Sequence, residues 1–258
     1  MTVPSPTSPG VGPRHRLAAF GGLSRQPLSR VPARPRPRLL DRLDRLDRPG
    51  PHGSAAEVRT LGAAARRFLG HPRPPVLLGC VGTLAAVRFS RGPWRLRRDG
   101  AIVCGAVLAQ PFVEWGVHRL LLHASPGTRF GSVGYQLAGH GHEQHHQDPT
   151  NLDTMFLRPR EVLTGTALGL ASAAFGPVWL STGTLCAAVG VLAYDWTHFL
   201  LHTRVPPRSR YHHALWRGHR LHHYRNERYW LGVTSPLGDL VLRTAPHRDA
   251  VARSPASG

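Results

Sequence analysis

The chain has 258 residues, 33 Lys plus Arg against 14 Asp plus Glu, and a formal net charge of +19. Every basic residue is arginine, which points to arginine-favouring codon usage for part of the charge and leaves the rest to suit anionic lipid headgroups or an acidic protein partner. The arginines flank apolar runs and no nucleic-acid-binding motif is visible, so a nucleic acid partner is excluded; Cys80, Cys104 and Cys186 lie unpaired in apolar runs, which excludes a disulfide framework and a sulfur-ligated metal.

Residues 1–70 are rich in Pro, Gly, Ser and Arg, as in RVPARPRPR, and read as a disordered tail. Within it, DRLDRLDR (Asp41 to Arg48) repeats with a period of three that slips around an α-helix, so a short solvated segment is expected. The start shows no charged region followed by an apolar one, and a secretory signal is not expected. Residues 71–258 form the expected membrane-embedded domain. Four apolar stretches follow in it: Pro75 to Phe89, Ala101 to Leu122, Val162 to Leu180 and Leu185 to Leu201. A bilayer-crossing helix needs roughly 20 mostly apolar residues, so these lie near or slightly under the threshold. The expected fold is an all-α integral membrane protein of about four transmembrane helices in two hairpins, with a soluble four-helix bundle as the alternative.

Histidine is concentrated where these stretches end, with thirteen of seventeen residues between His118 and His223. His142, His145 and His146 stand at i, i+3 and i+4, and His219, His222 and His223 repeat the spacing. His198 and His202 are i, i+4; His118 and His123 are i, i+5. Imidazole is the commonest protein metal ligand, and i, i+3, i+4 spacing lets adjacent helical turns grip one centre. Ten histidines exceed what one ion takes, so two metals are expected. An ideal α-helix would set His118 and His123 about 140° apart; one of them therefore lies where the helix ends, or the two face different metals.

Taken as hairpins, the helices bring all four histidine groups to one membrane face. Arginine counting makes that face cytoplasmic, with fourteen arginines up to Arg73 and ten after His202, although Arg88 to Arg98 places five on the opposite side. Glu114, four residues before His118, and Asp195, three before His198, are placed to hydrogen-bond imidazole N–H groups. Tyr194, Asn226 and Trp115 are weaker candidates for the same shell or the pocket wall. His140, His212 and His213 are expected beside the ligands or at the surface, and His15, His52, His71 and His247 in solvent. An all-nitrogen set suits iron or zinc.

The stretches VEWGVHRLLLH, HEQHH, YDWTHFLLH and HRLHHYRNERYWLGVTSPLGDLVLRT resemble the fatty acid hydroxylase/sterol desaturase superfamily, nearest its fatty acid 2-hydroxylase branch, over about residues 75–245. The resemblance implies four transmembrane helices under a cytoplasmic di-metal cap. Its ligands would be His118, His123, His142, His145, His146, His198, His202, His219, His222 and His223. It implies two iron ions, replaceable by zinc on purification, with O2 as co-substrate. The activity implied is hydroxylation of a lipid acyl C–H. The electrons would come from a separate cytochrome b5, ferredoxin or flavoprotein reductase, because the N-terminal tail carries no haem-binding pattern. A carotenoid ring hydroxylase or a sterol or lipid desaturase would use the same ligands, and a zinc-bound membrane protein without activity would share the fold.

Overall fold

A computed structural model describes residues 52–127 and 129–254, and every regular element among them is helical. The Asp41 to Arg48 repeat and His15 lie outside the described residues. The helices that position the rest are α1 (Leu61–Gly70), α2 (Arg73–Ser90), α3 (Leu96–Val117), α4 (Arg129–Gly134), α5 (His140–Gln147), α6 (Leu152–Met155), α7 (Pro159–Phe175), α8 (Val178–His202), α9 (Arg210–Tyr224) and α10 (Leu237–Val241).

Of the two expected hairpins, α7 with α8 packs as a pair; α2 and α3 follow each other through a short turn but pack on α8, the hub, rather than closely on one another, and α2 also packs on α7. At the first turn Gly92 adopts φ +121°, a conformation that disfavours a side chain. The Gly92 carbonyl accepts from Arg88 at 3.1 Å. Pro177 stops α7 and opens α8, because proline disfavours helix in the residue before it. Leu96–Leu122 (27 residues) and Val178–His202 (25 residues) are long and apolar enough to cross a bilayer. Only 11% and 22% of their most apolar windows are buried, so their apolar sides face outward and do not serve as the core of a soluble bundle. At 18 and 17 residues, α2 and α7 do not meet the same standard. Of the expected four spans, two are long apolar helices that meet the standard and two are shorter helices that do not.

Between the hairpin turns, Arg88 and Asp99 are fully buried and paired at 2.9 Å. Thr182 joins them from α8, accepting from Arg88 and donating to Asp99, both at 2.6 Å. Arg88 is therefore a structural tie between the hairpins and not a surface charge, which reduces the opposite-side arginine excess that the sequence suggested.

Residues 52–70 correct the expectation of a disordered tail extending to residue 70. Thr60 caps α1 by accepting from the Ala63 N–H at 3.2 Å. Ala64 and Phe68, four apart, turn to one buried face. Phe68 meets Phe156 and Trp196 edge-on, with ring centroids 5.5 and 5.1 Å away. The chain before α1 pairs with residues far away, the Ala55 N–H donating to Thr150 at 2.8 Å and the Leu152 N–H to Gly53 at 3.2 Å. Those partners lie outside any local window, so composition alone reads the segment as loose. Burying a Phe side chain stabilises by about 1.5–3 kcal/mol, and Ala55, Val58, Leu152, Met155, Phe199, Leu200 and Val205 belong to the same apolar cluster.

Candidate metal centre

All ten boxed histidines converge at one end of the hairpins. His118 and His123 reach it through a change of helix type. Residues His118–Leu122 form a π-helical turn in which the His123 N–H donates to the His118 carbonyl at 3.1 Å. Lengthening the turn by one residue brings i and i+5 to one face, and such turns concentrate at functional sites. The two rings stack with centroids 5.1 Å apart. Of the two sequence alternatives for this pair, the first holds, since His123 caps the end of the helix, while the second fails because both residues serve the same group of nitrogens.

The ten imidazoles divide into two sets of five, each with its ligand atoms within 4.8 Å of one another. The first contains His118, His123, His142, His146 and His222; the second contains His145, His198, His202, His219 and His223. The partition follows helix geometry. In each HxxHH box the i, i+4 pair stays with its own hairpin's histidines, and the i+3 histidine crosses to the other set. Helices α5 and α9 therefore each contribute to both centres.

Within the first set, neighbouring Nε2 atoms lie 3.1–3.2 Å apart, and within the second 2.7–3.1 Å. Two nitrogens bound to one ion at ~2.0–2.1 Å each would be separated by roughly 3 Å. Hydrogen bonding cannot account for the whole arrangement. His118 Nδ1 lies 2.6 Å from the Leu231 carbonyl and His222 Nδ1 2.9 Å from that of Tyr229. A carbonyl only accepts, so each Nδ1 carries the proton and each Nε2 is bare. The Met155 carbonyl likewise accepts from His198, whose Nε2 is left without a partner. Burial first, and neighbouring imidazoles second, hold His142, His145, His219, His222 and His223 well below the usual histidine range, and His146 is pushed down to about 3. Bare, converging lone pairs repel one another unless a cation sits among them. Both sets can hold a metal ion.

The loop after α9 orients the first set. Leu231 and Gly232 N–H groups donate to Asp239 at 3.0 and 2.6 Å, while Val233 and Thr234 N–H groups donate to Glu114 at 2.5 and 2.9 Å. The Thr234 hydroxyl also donates to Glu114, and that of Thr244 to Asp239. The clamp fixes the Leu231 carbonyl that holds His118. Trp230, between the two orienting carbonyls, has φ 54°, a left-handed conformation that costs a bulky residue about 1–3 kcal/mol. A side chain at Gly232 would run into the Ser235 carbonyl.

Several expected roles change. Glu114 does not bond an imidazole; it acts through the loop, because the loop amides reach it and the Leu231 carbonyl reaches His118. Asp195 accepts from the Leu157 N–H at 3.3 Å and leaves His198 to the Met155 carbonyl. Tyr194 stacks on His198 with centroids 5.5 Å apart and the rings 17° from parallel. It borders a cavity of about 60 Å³ that also touches His142, His145 and His198. Trp115 donates to Thr244 at 2.9 Å and Asn226 to the Ala252 carbonyl at 3.2 Å, so neither bonds an imidazole. His140, His212 and His213 belong to neither set. The role of Asp239 was missed by sequence reasoning, although it ends the GVTSPLGD stretch that carried the resemblance.

His71 and His52 also depart from expectation. His71 is buried, and it shares Asp153 with half-exposed His52, which lies 2.5 Å from that carboxylate. The Arg73 N–H donates to His71 Nδ1 at 3.3 Å, which places the His71 proton on Nε2, facing Asp153 at 3.5 Å. That proton makes the trio a clamp on the N-terminal segment and a poor metal site.

Beneath the histidines, α3 and α8 enclose an apolar groove of about 700 Å³. It runs from Trp94 and Thr182 past Val107, Val189 and Ala193 to Thr234 and Ser235 of the clamped loop.

A sequence profile described as fatty acid hydroxylase matches residues 103–244. The chain is 29% identical over 191 residues to the Arabidopsis thaliana dihydroceramide fatty acyl 2-hydroxylase, a match covering 70% of this chain and 75% of that protein. It is 28% identical over 152 residues to the Saccharomyces cerevisiae ceramide very long chain fatty acid hydroxylase, covering 58% of this chain but 39% of that one. A solved structure of full-length scs7p, in which only the hydroxylase domain is visible, shares the fold at a TM-score of 0.54 and 23% identity, over 82% of this chain and 80% of that chain.

Proposed function

The chain belongs to the fatty acid hydroxylase family, and on that premise we propose that it is a membrane-bound oxygenase hydroxylating an unactivated C–H of a lipid acyl chain. Its cofactor would be two irons, one in each five-histidine set, with zinc able to replace them. The observation that carries this reading is the pair of buried, all-nitrogen sets at ligand-to-ligand spacing. Iron bound there would supply the activation of O2 and the removal of hydrogen from carbon. The names of the plant and yeast relatives favour a ceramide-type acyl chain as substrate.

The protein's own residues have three tasks. The groove between α3 and α8 takes the acyl chain and sheds water from it. Tyr194 stacks flat on His198 and holds that ring of the second set in place. The clamped loop keeps His118 and His222 in one tautomer, each with its Nε2 lone pair aimed inward. In the same reading the chain is multi-pass, with the shorter helices completing four spans. The histidine face is cytoplasmic, a separate carrier delivers the electrons, and the catalytic unit includes residues 52–70 together with the domain that follows.

The test is expression of the full chain with a cytochrome b5 or ferredoxin donor, followed by mass spectrometry of host lipids under ¹⁸O₂, with His222→Ala as control. Lipids gaining one labelled oxygen only with the unaltered chain are the expected result. Loss of two hydrogens without label would mean a desaturase, and no change in membranes shown to contain iron would sink the substrate class.

A further inference from the structure

Helix α9 has two faces of opposite character. Inward it offers His219, His222 and His223, which serve both centres. Its outer face carries Arg217, Arg220 and Tyr224, all exposed. The Arg220 guanidinium lies 4.9 Å from the Trp216 ring and 5.4 Å from that of Tyr224. Together with Arg253, these residues line a concavity of about 540 Å³. Two other arginines there are already engaged, Arg225 with the Val251 carbonyl at 2.8 Å and Arg248 with Asp249 at 2.8 Å. Arg217 and Arg253 have no carboxylate partner among the described residues.

Hydroxylation sets a requirement that this face meets. In the balance RH + O2 + 2e⁻ + 2H⁺ → ROH + H2O, one oxygen atom enters the C–H bond and the other leaves as water. Two electrons must therefore come from outside the substrate. Helix α5 also bridges the two sets, but its outer side carries Glu143, bound by the Tyr135 hydroxyl at 2.6 Å, and no arginine. On α9 the path inward is one helix thick. Arg220 directly follows His219 in the chain, and the Tyr224 ring lies 6.2 Å from that of His223.

We propose that the outer face of α9, centred on Arg217, Arg220 and Tyr224, is the docking surface for an acidic one-electron carrier protein. The inference rests on the oxygenase reading above and adds where the electrons enter. Unpaired guanidiniums on a shallow concave face attract a partner of opposite charge and speed encounter, and flat aromatic rings give it apolar contact.

The experiment uses the full chain in nanodiscs of neutral lipid, with the soluble domain of a cytochrome b5 as probe, and reads binding directly by biolayer interferometry. The prediction is that affinity falls with added salt. It should drop at least tenfold in Arg217→Glu/Arg220→Glu, and by a smaller factor in Arg217→Gln/Arg220→Gln, which guards against a folding defect. Arg59→Glu/Arg66→Glu, exposed on and beside α1, should leave it unchanged. Carrier binding indifferent to the α9 reversals would overturn the proposal. So would a reversal that spares carrier binding but abolishes adhesion to phosphatidylserine vesicles, making the face a lipid site. Reduction of the iron-loaded protein by dithionite is followed in parallel. If dithionite produces no spectral change in the unaltered chain, the oxygenase reading fails; if the reversals slow only carrier-driven reduction, the docking assignment holds.

Discussion

The two five-histidine sets are built from the same parts and held in different ways. In the first, His118 and His222 are oriented from behind by the Leu231 and Tyr229 carbonyls, and a loop tied to Glu114 and Asp239 presents the first of these. In the second, among the described residues, only His198 has such a carbonyl, from Met155, while the Nδ1 atoms of His145, His219 and His223 have no partner there. Those rings are fixed by packing on one another, as where His145 meets His198, His202 and His223 edge-on at centroid distances of 4.6–4.9 Å. The first set is thus positioned by directional bonds and the second by close packing. Substitutions behind each should fail differently.

The largest effect is expected from the histidines that cross between sets. His145→Ala or His222→Ala removes a ligand from one centre while disturbing the helix that serves the other. Activity should fall by more than the ~10–100-fold typical of losing a supporting partner, and each variant should retain less metal on elemental analysis. A variant with full metal content and near-normal turnover would break the partition.

Phe68→Ala probes the packing behind the second set, since Phe68 touches Phe156, next to the Met155 whose carbonyl holds His198. Removing a buried Phe costs about 3–5 kcal/mol, so the thermal midpoint should drop by many degrees. An unchanged midpoint would return residues 52–70 to the status of a dispensable tail.

Asp239→Asn probes the first set. It keeps the shape of the clamp but weakens acceptance from three donors, and a ~10–100-fold loss of metal affinity or activity is expected. Metal titration should show the weaker site in one centre only; equal weakening of both would contradict the contrast drawn above.

The smallest effect concerns His71, which burial first, then the charges of His52 and Arg73, lower to about 4. Unfolded histidine titrates near 6.5. Between those values the unfolded chain binds a proton that the folded chain refuses, so stability falls as pH drops below about 6.5 and is insensitive to this group above it. The thermal midpoint should fall less between pH 7.5 and 5 in His71→Gln than in the unaltered chain, and parallel curves would remove His71 from the pH response.

Much of the site was legible in the sequence, because i, i+3, i+4 histidines beside apolar runs leave few other readings. The α7–α8 hairpin was legible too, since hydropathy and Gly-Pro punctuation are local signals, whereas the packing of α2 and α3 on α8 instead of on each other was not. What escaped depends on partners distant in sequence or on a shift of helix type. Nothing local announces that His118–Leu122 winds as a π-turn, and an α-helical projection therefore separates His118 from His123. Glu114 and Asp195 lie at the right spacing for imidazole but meet backbone amides brought by Val233 and Leu157. Phe68 sits in an arginine-rich segment whose stabilising rings lie beyond Leu152, and His71 is buried by the same contacts.

The central claim is that each five-histidine set holds one ion, and metal stoichiometry tests it most directly. The full chain, stripped and then titrated anaerobically with ferrous iron, should take up two ions per chain, and His123→Ala/His146→Ala, which removes two ligands from the first set alone, should take up one. A single ion in the unaltered chain, or two in that variant, would contradict the account.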